Sequence, residues 1–257
     1  MAYPGGLLPS HLDLPSHPAP VSLHFNMTGT ILITGANGSL AIPAVQHLLT
    51  NYPDHTVILT VRNSSNTDVN TNRLRAVLES FPNSRASIHE LDHARLSSVH
   101  EFANSLRDQM SSGKLPSLAA IVCNAYYWNL KDGVQTTEDG YEKTFQVSYL
   151  AHVVLVLRLL RSFDSRTGGR IVLFSSDSHW PGKNGMEKYP PAIPDDLESL
   201  VKPDVRAQSA DNFGRGFQRY AIAKLTIVTW MYALNFYLQK VWTRFPMSRK
   251  RGFLLSL

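Results

Sequence analysis

The sequence has almost no cysteine and no long run of charge of either sign. Its single cysteine, Cys123, excludes an internal disulfide framework in this 257-residue chain and indicates a reducing compartment, so we expect a cytoplasmic protein. The formal charge of +5 comes from scattered basic residues, with one short cluster at Arg249-Lys250-Arg251. A basic stripe with interleaved aromatic residues is absent, so we expect no nucleic-acid partner.

Long uninterrupted apolar segments are also lacking. Leu150–Leu160 contains Arg158 and is too short to cross a bilayer, and Leu225–Trp242 carries several polar side chains. We interpret Leu225–Trp242 as a buried or dimer-forming helix and expect no membrane span. Residues 1–28 lack the basic start and continuous apolar core of a secretory signal, and we interpret them as a disordered leader.

What the chain does contain is a regular alternation of strand and helix patterns. Apolar or β-branched runs predict strands near residues 30–34, 56–61, 86–91, 118–122 and 170–174. Segments with helical patterns predict helices near residues 40–51, 67–80, 95–110, 141–163 and 217–240. This alternation predicts an α/β fold, a Rossmann-type doubly wound parallel sheet, in one domain over residues 29–257. Residues at about 177–217 break the rhythm and predict an insertion near the strand ends, where such folds bind ligands.

The turn from the first strand to the first helix has the composition of a phosphate-binding loop. It reads Thr34-Gly35-Ala36-Asn37-Gly38-Ser39-Leu40-Ala41. Backbone amides and a helix N-terminus at this position meet a pyrophosphate, and glycine lets the backbone approach it closely. A glycine-rich turn without a ligand is the alternative.

Arg62 follows the second strand, and no carboxylate ends that strand. An acid there would bind the ribose 2′-hydroxyl of NAD, whereas an arginine suits the 2′-phosphate of NADP. NADP is therefore favoured over NAD. A surface arginine without a ligand is the alternative.

Tyr220 and Lys224 lie four residues apart in a helical segment and share one face of the helix. A phenol titrates near about 10, and a neighbouring ammonium moves that pKa toward the working range of a proton shuttle. A pair at this spacing also occurs by chance in many helices, so its meaning depends on the residues upstream.

Taken together, these motifs resemble the short-chain dehydrogenase/reductase family. Its turn reads Thr-Gly-x-x-x-Gly-x-Gly, which Thr34 and Gly35 match, while Ser39 and Ala41 stand at the second and third glycines. Cys123-Asn124-Ala125-Tyr126 corresponds to the Asn-Ala-Gly after the family's fourth strand.

The resemblance also assigns the adenine contact and a water-binding position. Asp92 ends the third strand, where the family's aspartate meets the adenine, and a helix N-cap is the other interpretation of this residue. Ser148 replaces the asparagine that anchors a water in the family's proton relay.

The resemblance implies hydride transfer between the nicotinamide and a carbonyl or carbinol carbon. Ser176 would hydrogen-bond the substrate oxygen, Tyr220 would give or take its proton, and Lys224 would hold the nicotinamide ribose and lower the pKa of Tyr220. The residues that the resemblance and the turn chemistry assign to the NADP site are Thr34, Gly35, Asn37, Ser39, Leu40, Arg62, Asp92, Asn124, Tyr220 and Lys224.

The long insertion between Ser176 and Tyr220 is similar to that of dehydrogenases with bulky apolar substrates. Retinol dehydrogenases, sterol 3-ketoreductases and fungal dehydrogenases of terpenoid and meroterpenoid pathways carry comparable segments. Trp180 and Phe217 are candidates for lining an apolar pocket, with core packing as the alternative. The implied activity is alcohol–ketone interconversion on such a small-molecule substrate in secondary metabolism.

The resemblance covers roughly residues 28–240. Residues 252–257 are the candidate sixth strand, and we expect the sheet to lack its last strand or strands. The alternative function is accordingly a truncated, catalytically impaired relative that binds cofactor or folds poorly. The family also suggests a homodimer built on helices 141–163 and 217–240.

A competing motif is His89-Glu90-Leu91-Asp92-His93, which satisfies the zinc-peptidase string His-Glu-x-x-His. That chemistry needs both histidines one turn apart on a helix. Here the segment begins inside a predicted strand, and Asp92 has a place in the dehydrogenase pattern. We interpret the match as accidental and expect no metal.

Overall fold

The computed structural model describes residues 28–164, 168–202, 210–244 and 254–256, and only the backbone of 241–244 and 254–256. Residues 1–27, within the predicted leader, lie outside this range. The strands are β1 (Thr30–Ile33), β2 (Thr56–Val61), β3 (Arg85–Glu90), β4 (Leu118–Cys123), β5 (Arg170–Leu173) and β6 (Leu254–Ser256). The helices are α1 (Ala41–Asn51), α2 (Val69–Glu79), α3 (Leu96–Ser111), α4 (Lys143–Phe145), α5 (Ala151–Leu159), α6 (Glu198–Val201) and α7 (Asn212–Arg244).

All six described strands pair in parallel in one sheet, in the spatial order β3-β2-β1-β4-β5-β6. The chain extends the sheet from β1 to β3 in one direction and from β4 to β6 in the other. The order therefore reverses between β1 and β4, which confirms the predicted doubly wound topology. Ligands of such sheets bind in the crevice at the carboxyl ends of the two strands that flank the reversal.

The sheet has an apolar core on each face. Successive residues of a strand point to opposite faces. Leu32 and Ile58 accordingly belong to the core beneath α3, α5 and α7, whereas Ile33 and Val57 belong to the core beneath α1 and α2. All six residues of β2 are buried, as in a strand covered on both faces.

The segment predicted as one helix over 141–163 is interrupted. A π-helical turn, Gln146–Leu150, separates α4 from α5, and a 3-10 turn, Leu160–Ser162, follows α5. Inside the π-helical turn, Gln146 Nε2 donates to Asp139 (2.7 Å) and to the His93 carbonyl (3.2 Å). Helical residues nevertheless run without a gap from Lys143 to Ser162, which confirms the prediction of a long helix, with a wider turn at the residues that make these tertiary bonds.

The candidate sixth strand is present. Its described residues, Leu254–Ser256, pair in parallel with Arg170–Val172 of β5. Parallel β6 continues the sheet beyond β5, which confirms the candidate sixth strand. Within the described ranges, the sheet ends at β6.

The insertion contacts the start of α7. This helix begins at Asn212 and runs to Arg244, beyond the predicted bounds. The guanidinium of Arg215 lies 3.7 Å from the centroid of the Tyr189 ring, and Gln218 Nε2 donates to the Pro190 carbonyl (3.0 Å). Lys188 also pairs with Asp211 at 2.7 Å. These contacts place the insertion beside the helix that carries Tyr220.

Two helical stretches, Lys143–Ser162 and Asn212–Lys240, are long and apolar enough to cross a membrane by length and composition alone. Half of the first window and a third of the second are buried. Leu155, Leu159 and Ile227 from these stretches are fully enclosed in the core against the sheet. Packing against the sheet therefore accounts for the buried part of each stretch.

Candidate active site

Ser176, Tyr220 and Lys224 meet at the carboxyl end of β5. Ser176 follows that strand, whereas Tyr220 and Lys224 lie one turn apart on α7. The Ser176 hydroxyl lies close enough to Tyr220 to influence the pKa of the phenol. Ser176 Oγ also donates to the carboxylate of Asp177 (3.1 Å) and accepts from the Ser178 amide (3.2 Å). The structure thus brings the three predicted catalytic residues together.

Lys224 is held beneath this pair. Its side chain is buried, and Nζ donates to the Phe174 carbonyl at 2.7 Å, while Ser175 Oγ donates to the Lys224 carbonyl at 3.1 Å. These two bonds fix α7 to the end of β5. Burial lowers the pKa of Lys224 to about 8, against a small opposing effect of Cys123.

The pKa of Tyr220 shifts upward, contrary to the expected effect of Lys224. Burial raises it, the neighbouring Ser176 hydroxyl opposes that shift, and Tyr126 and Asp177 add to it. Lys224 Nζ is engaged by the Phe174 carbonyl and lies 5.6 Å from the centroid of the Tyr220 ring. Tyr220 is therefore held as a neutral phenol at neutral pH.

An aromatic wall surrounds the Tyr220 ring, and we define it as Tyr126, Trp128 and Phe217. Their ring centroids lie 6.3, 5.4 and 6.4 Å from that of Tyr220. Phe217 is fully buried, but Tyr126 and Trp128 keep 56% and 41% of their surface exposed. Exposed rings beside a reactive phenol present apolar surface to whatever approaches its hydroxyl.

The glycine turn lies against the loop that follows β4. Gly35 has φ of 60°, and a Cβ on it would stand 2.9 Å from Ala125 Cα, so any side chain would collide with backbone. Asn124 Nδ2 donates to the carbonyls of Thr34 (3.1 Å) and Gly35 (2.9 Å). The backbone amides of Asn124 and Ala125 both donate to Thr34 Oγ1 at 3.0 Å.

The start of α1 fits a phosphate group. Leu40 and Ser39 are exposed there, and among the described residues no side chain caps this helix and no acid occupies its first turn. The Ala41 and Ile42 amides donate to the Gly38 carbonyl (3.1 and 3.0 Å) and Pro43 has no N–H, so it is the positive end of the helix dipole that favours an anion here. The crevice beside β1 and β4 thus suits the pyrophosphate of a dinucleotide.

A family model for short chain dehydrogenases matches residues 29–191. The chain belongs to the short-chain dehydrogenase family. Among curated relatives, short-chain dehydrogenase iccH of Talaromyces variabilis is 33% identical over 166 residues, covering 60% of this chain and 42% of the relative. Short chain dehydrogenase resG of Aspergillus sclerotiorum is 28% identical over 225 residues, covering 82% and 57%. The chain therefore spans about half the length of these fungal relatives.

A solved structure of the family supports the fold. Chicken liver carbonyl reductase with bound NADPH is 15% identical to this chain, with a TM-score of 0.56 over 89% of this chain and 78% of that one. At this identity the likeness concerns the fold alone.

The other residues predicted for the dinucleotide lie around the crevice. Arg62 is exposed just beyond β2. Hydrogen bonds from Thr71, and to a smaller extent the charge of Arg62, lower the pKa of the nearby Asp68. Asn37 Nδ2 donates to Thr71 (2.9 Å), so its side chain joins the turn to α2.

Asp92 follows β3 and forms a local turn. Its carboxylate accepts from the Ala94 amide at 2.9 Å and lies 3.8 Å from Arg95 Nε. Arg95, not Asp92, occupies the N-cap position of α3. The alternative interpretation of Asp92 as that cap was therefore wrong.

Ser148 does not present a free hydroxyl proton for binding water. Its Oγ donates to the Tyr127 carbonyl (3.0 Å) and accepts from the Tyr127 amide (3.1 Å). Ser148 therefore ties the π-helical turn to the loop between Tyr126 and Trp128. In this chain the position fixes the aromatic wall.

The zinc-peptidase string is not on a helix. His89 and Glu90 lie in β3, and His93 lies in the loop that follows the strand. The arrangement that the string requires, two histidines one helical turn apart, is thus not formed. Among the described residues, no group of three or more His, Cys, Asp or Glu side chains is placed to hold a metal.

Several residues of the site were not found from the sequence. The exposed rings of Tyr126 and Trp128 are among them. Tyr126 stands where the family's Asn-Ala-Gly motif has glycine, and this difference was a signal in the sequence. Beneath Tyr220, buried Glu142 lies 3.6 Å from Arg219 Nε, and burial raises the pKa of its carboxyl group. Trp180, a pocket candidate, is 60% exposed and packs on His179.

Proposed function

We propose that this short-chain dehydrogenase is an NADP-dependent oxidoreductase that interconverts a secondary alcohol and a ketone on a bulky apolar, terpenoid-like substrate. One observation carries the proposal: Ser176 and Tyr220 meet at the carboxyl end of β5, where Lys224 Nζ donates to the Phe174 carbonyl and lies 5.6 Å from the centroid of the Tyr220 ring. A positioned hydroxyl pair of this kind can bind a carbonyl oxygen and transfer a proton to it.

When bound, NADP supplies or accepts the hydride at its nicotinamide. Thr34, Gly35, Ser39, Leu40 and Asn124 would hold the dinucleotide along the crevice through the turn and the start of α1. Asn37 would contact the dinucleotide through the backbone of the turn. Asp92 would lie at the adenine end. Lys224, charged below about pH 8, would hold the nicotinamide ribose.

In the reduction of a ketone, Tyr220 would donate its proton to the substrate oxygen, and Ser176 would hydrogen-bond that oxygen. The raised pKa of Tyr220, which burial causes, keeps the proton on the phenol until the oxygen gains negative charge. In alcohol oxidation the same atoms would act in reverse.

The aromatic wall supports a bulky apolar substrate. Tyr126 and Trp128 expose ring surface beside the Tyr220 ring, and contact with such surface removes apolar area from water on both partners. A small-molecule substrate in the cytoplasm is part of the proposal. So is a homodimer, which the exposed Tyr232, Phe236 and Tyr237 of α7 support.

Arg62→Ala is expected to weaken NADPH use about 10- to 100-fold while leaving NADH use unchanged. A hydrogen-bonded ion pair with the 2′-phosphate is worth about 1.5–3 kcal/mol, and NADH lacks that phosphate. The measurement is kcat/KM for each cofactor, with decalone as a bulky apolar ketone.

Arg73→Ala, an exposed arginine on α2, is the matched control and should leave the ratio of the two kcat/KM values as it is in the wild type. An unchanged NADPH-over-NADH ratio in Arg62→Ala would remove Arg62 from the cofactor site. Because the comparison uses two cofactors on one protein, it does not depend on how good a substrate decalone is.

A further inference from the structure

Two buried histidines lie behind the glycine turn and take no part in the proton chemistry described above. His152 of α5 and His93 after β3 are both buried, with ring centroids 4.6 Å apart in an edge-to-face arrangement. His152 Nε2 lies 3.0 Å from Thr34 Oγ1, across 118 residues of sequence. The contact links α5 directly to the first residue of the turn.

The hydrogen bonds at Thr34 decide which nitrogen of His152 carries the proton. A hydroxyl oxygen has one proton and two lone pairs. The amides of Asn124 and Ala125 occupy both lone pairs of Thr34 Oγ1, each at 3.0 Å. The hydroxyl proton is therefore directed to His152 Nε2, since the Val122 carbonyl is the more distant acceptor at 3.4 Å.

With Nε2 accepting, a neutral imidazole must carry its proton on Nδ1. That nitrogen faces the Ser148 carbonyl at 3.4 Å, and a carbonyl can only accept. A proton on Nε2 would instead oppose Thr34 Oγ1, whose lone pairs are already used. The same reasoning gives His93 an Nδ1 proton facing the Val147 carbonyl at 3.4 Å.

We propose that His152 is a positioning residue that, as the neutral Nδ1–H tautomer, orients the Thr34 hydroxyl so that both its lone pairs hold the Asn124–Ala125 loop. This loop bonds the glycine turn on one side and leads into Tyr126 of the aromatic wall on the other. His152 thereby sets the width of the crevice between β1 and β4. Its catalytic consequence rests on the proposed function, but its hydrogen-bond assignment does not.

The direct test is nitrogen NMR of ¹⁵N-histidine-labelled wild-type protein at neutral pH, where imidazole ¹⁵N shifts and couplings distinguish the tautomers. His152→Gln identifies the His152 signals by their disappearance. We expect an Nδ1–H tautomer for His152. An Nε2–H tautomer or an imidazolium would overturn the proposal, and this readout needs no variant that binds cofactor.

The functional test compares two substitutions at the same site. His152→Leu removes the acceptor and is expected to weaken NADPH binding about ten-fold, whereas the side-chain oxygen of His152→Gln can accept from Thr34 and should restore most of it. Thr34→Val combined with His152→Leu should cost little more than either change alone.

Equal NADPH dissociation constants for His152→Leu and wild type would refute the positioning role. A failure of the proposed function differs from this outcome, because wild-type protein would then bind no NADPH while still giving the tautomer signal. If His152→Leu does not fold, the Thr34→Val variant and the wild-type tautomer still decide the matter.

Discussion

Tyr220→Phe is expected to lower kcat by at least about 100-fold and to leave the NADPH dissociation constant nearly unchanged. Proton transfer by a positioned group contributes roughly 100- to 10,000-fold, and phenylalanine lacks the hydroxyl that would transfer the proton. The ring itself remains, so the contacts with Trp128 and Phe217 persist. The measurement is steady-state oxidation of NADPH with decalone, alongside a binding titration.

Tyr232→Phe is the control for this experiment. Tyr232 lies on the same helix with 66% of its surface exposed, so removing its hydroxyl should leave both kcat and binding as in the wild type. Wild-type turnover by Tyr220→Phe would show that the proton comes from another group. Binding of NADPH without turnover in the wild type would instead favour a cofactor-binding relative that is catalytically impaired.

Acidification from pH 6.5 to 4 is expected to reduce the free energy of unfolding by about 3 kcal/mol through His93 alone. Burial lowers the pKa of His93 from 6.5 to about 4 in the folded protein. The unfolded chain therefore binds the proton first as the pH falls, and stability is lost from about pH 6.5 until the folded state also titrates. Urea unfolding at a series of pH values measures this loss.

The titratable groups around His93 determine the rest of the dependence of the unfolding free energy on pH. His152 adds loss in the same direction, because burial, His93 and Lys224 lower its pKa, whereas the Asp92 charge slightly opposes the shift of His93. Burial raises the pKa of Glu142, so this residue makes the unfolding free energy increase, not decrease, as the pH falls. In His93→Phe, the loss of unfolding free energy between pH 6.5 and pH 4 should be smaller than in the wild type by about 3 kcal/mol. An unchanged difference would contradict the assignment.

The fold was predictable because its signals are local. The β-branched run of β2 and the helical patterns of α1 to α3 depend on neighbours in the chain, and the structure confirms them within a few residues. The alternation of strand and helix then leaves few ways to order the strands. The positions of Ser176, Tyr220 and Lys224 followed from a family pattern carried by short motifs.

The features that the sequence did not reveal depend on contacts between distant residues. Thr34 and His152 are 118 residues apart, and the bond between Ser148 and Tyr127 joins the π-helical turn to a loop 21 residues earlier in the chain. No local pattern encodes such partners.

The prediction that Lys224 lowers the pKa of Tyr220 was wrong for a similar reason. Helical spacing places Lys224 on the same face, but burial and the Phe174 carbonyl, both products of tertiary structure, decide the electrostatics.

The most direct measurement of the central claim is the thermal unfolding of the purified chain with and without NADPH. Ligand at about 100 times its dissociation constant stabilises a folded protein by about 2.7 kcal/mol, which raises Tm by roughly 5–10 °C for a domain of this size. We predict an increase of this order with NADPH, growing with the logarithm of its concentration above the dissociation constant, and a smaller one with NADH. A cooperatively folded chain whose Tm does not respond to NADPH at any concentration would contradict the assignment of an NADP-dependent oxidoreductase.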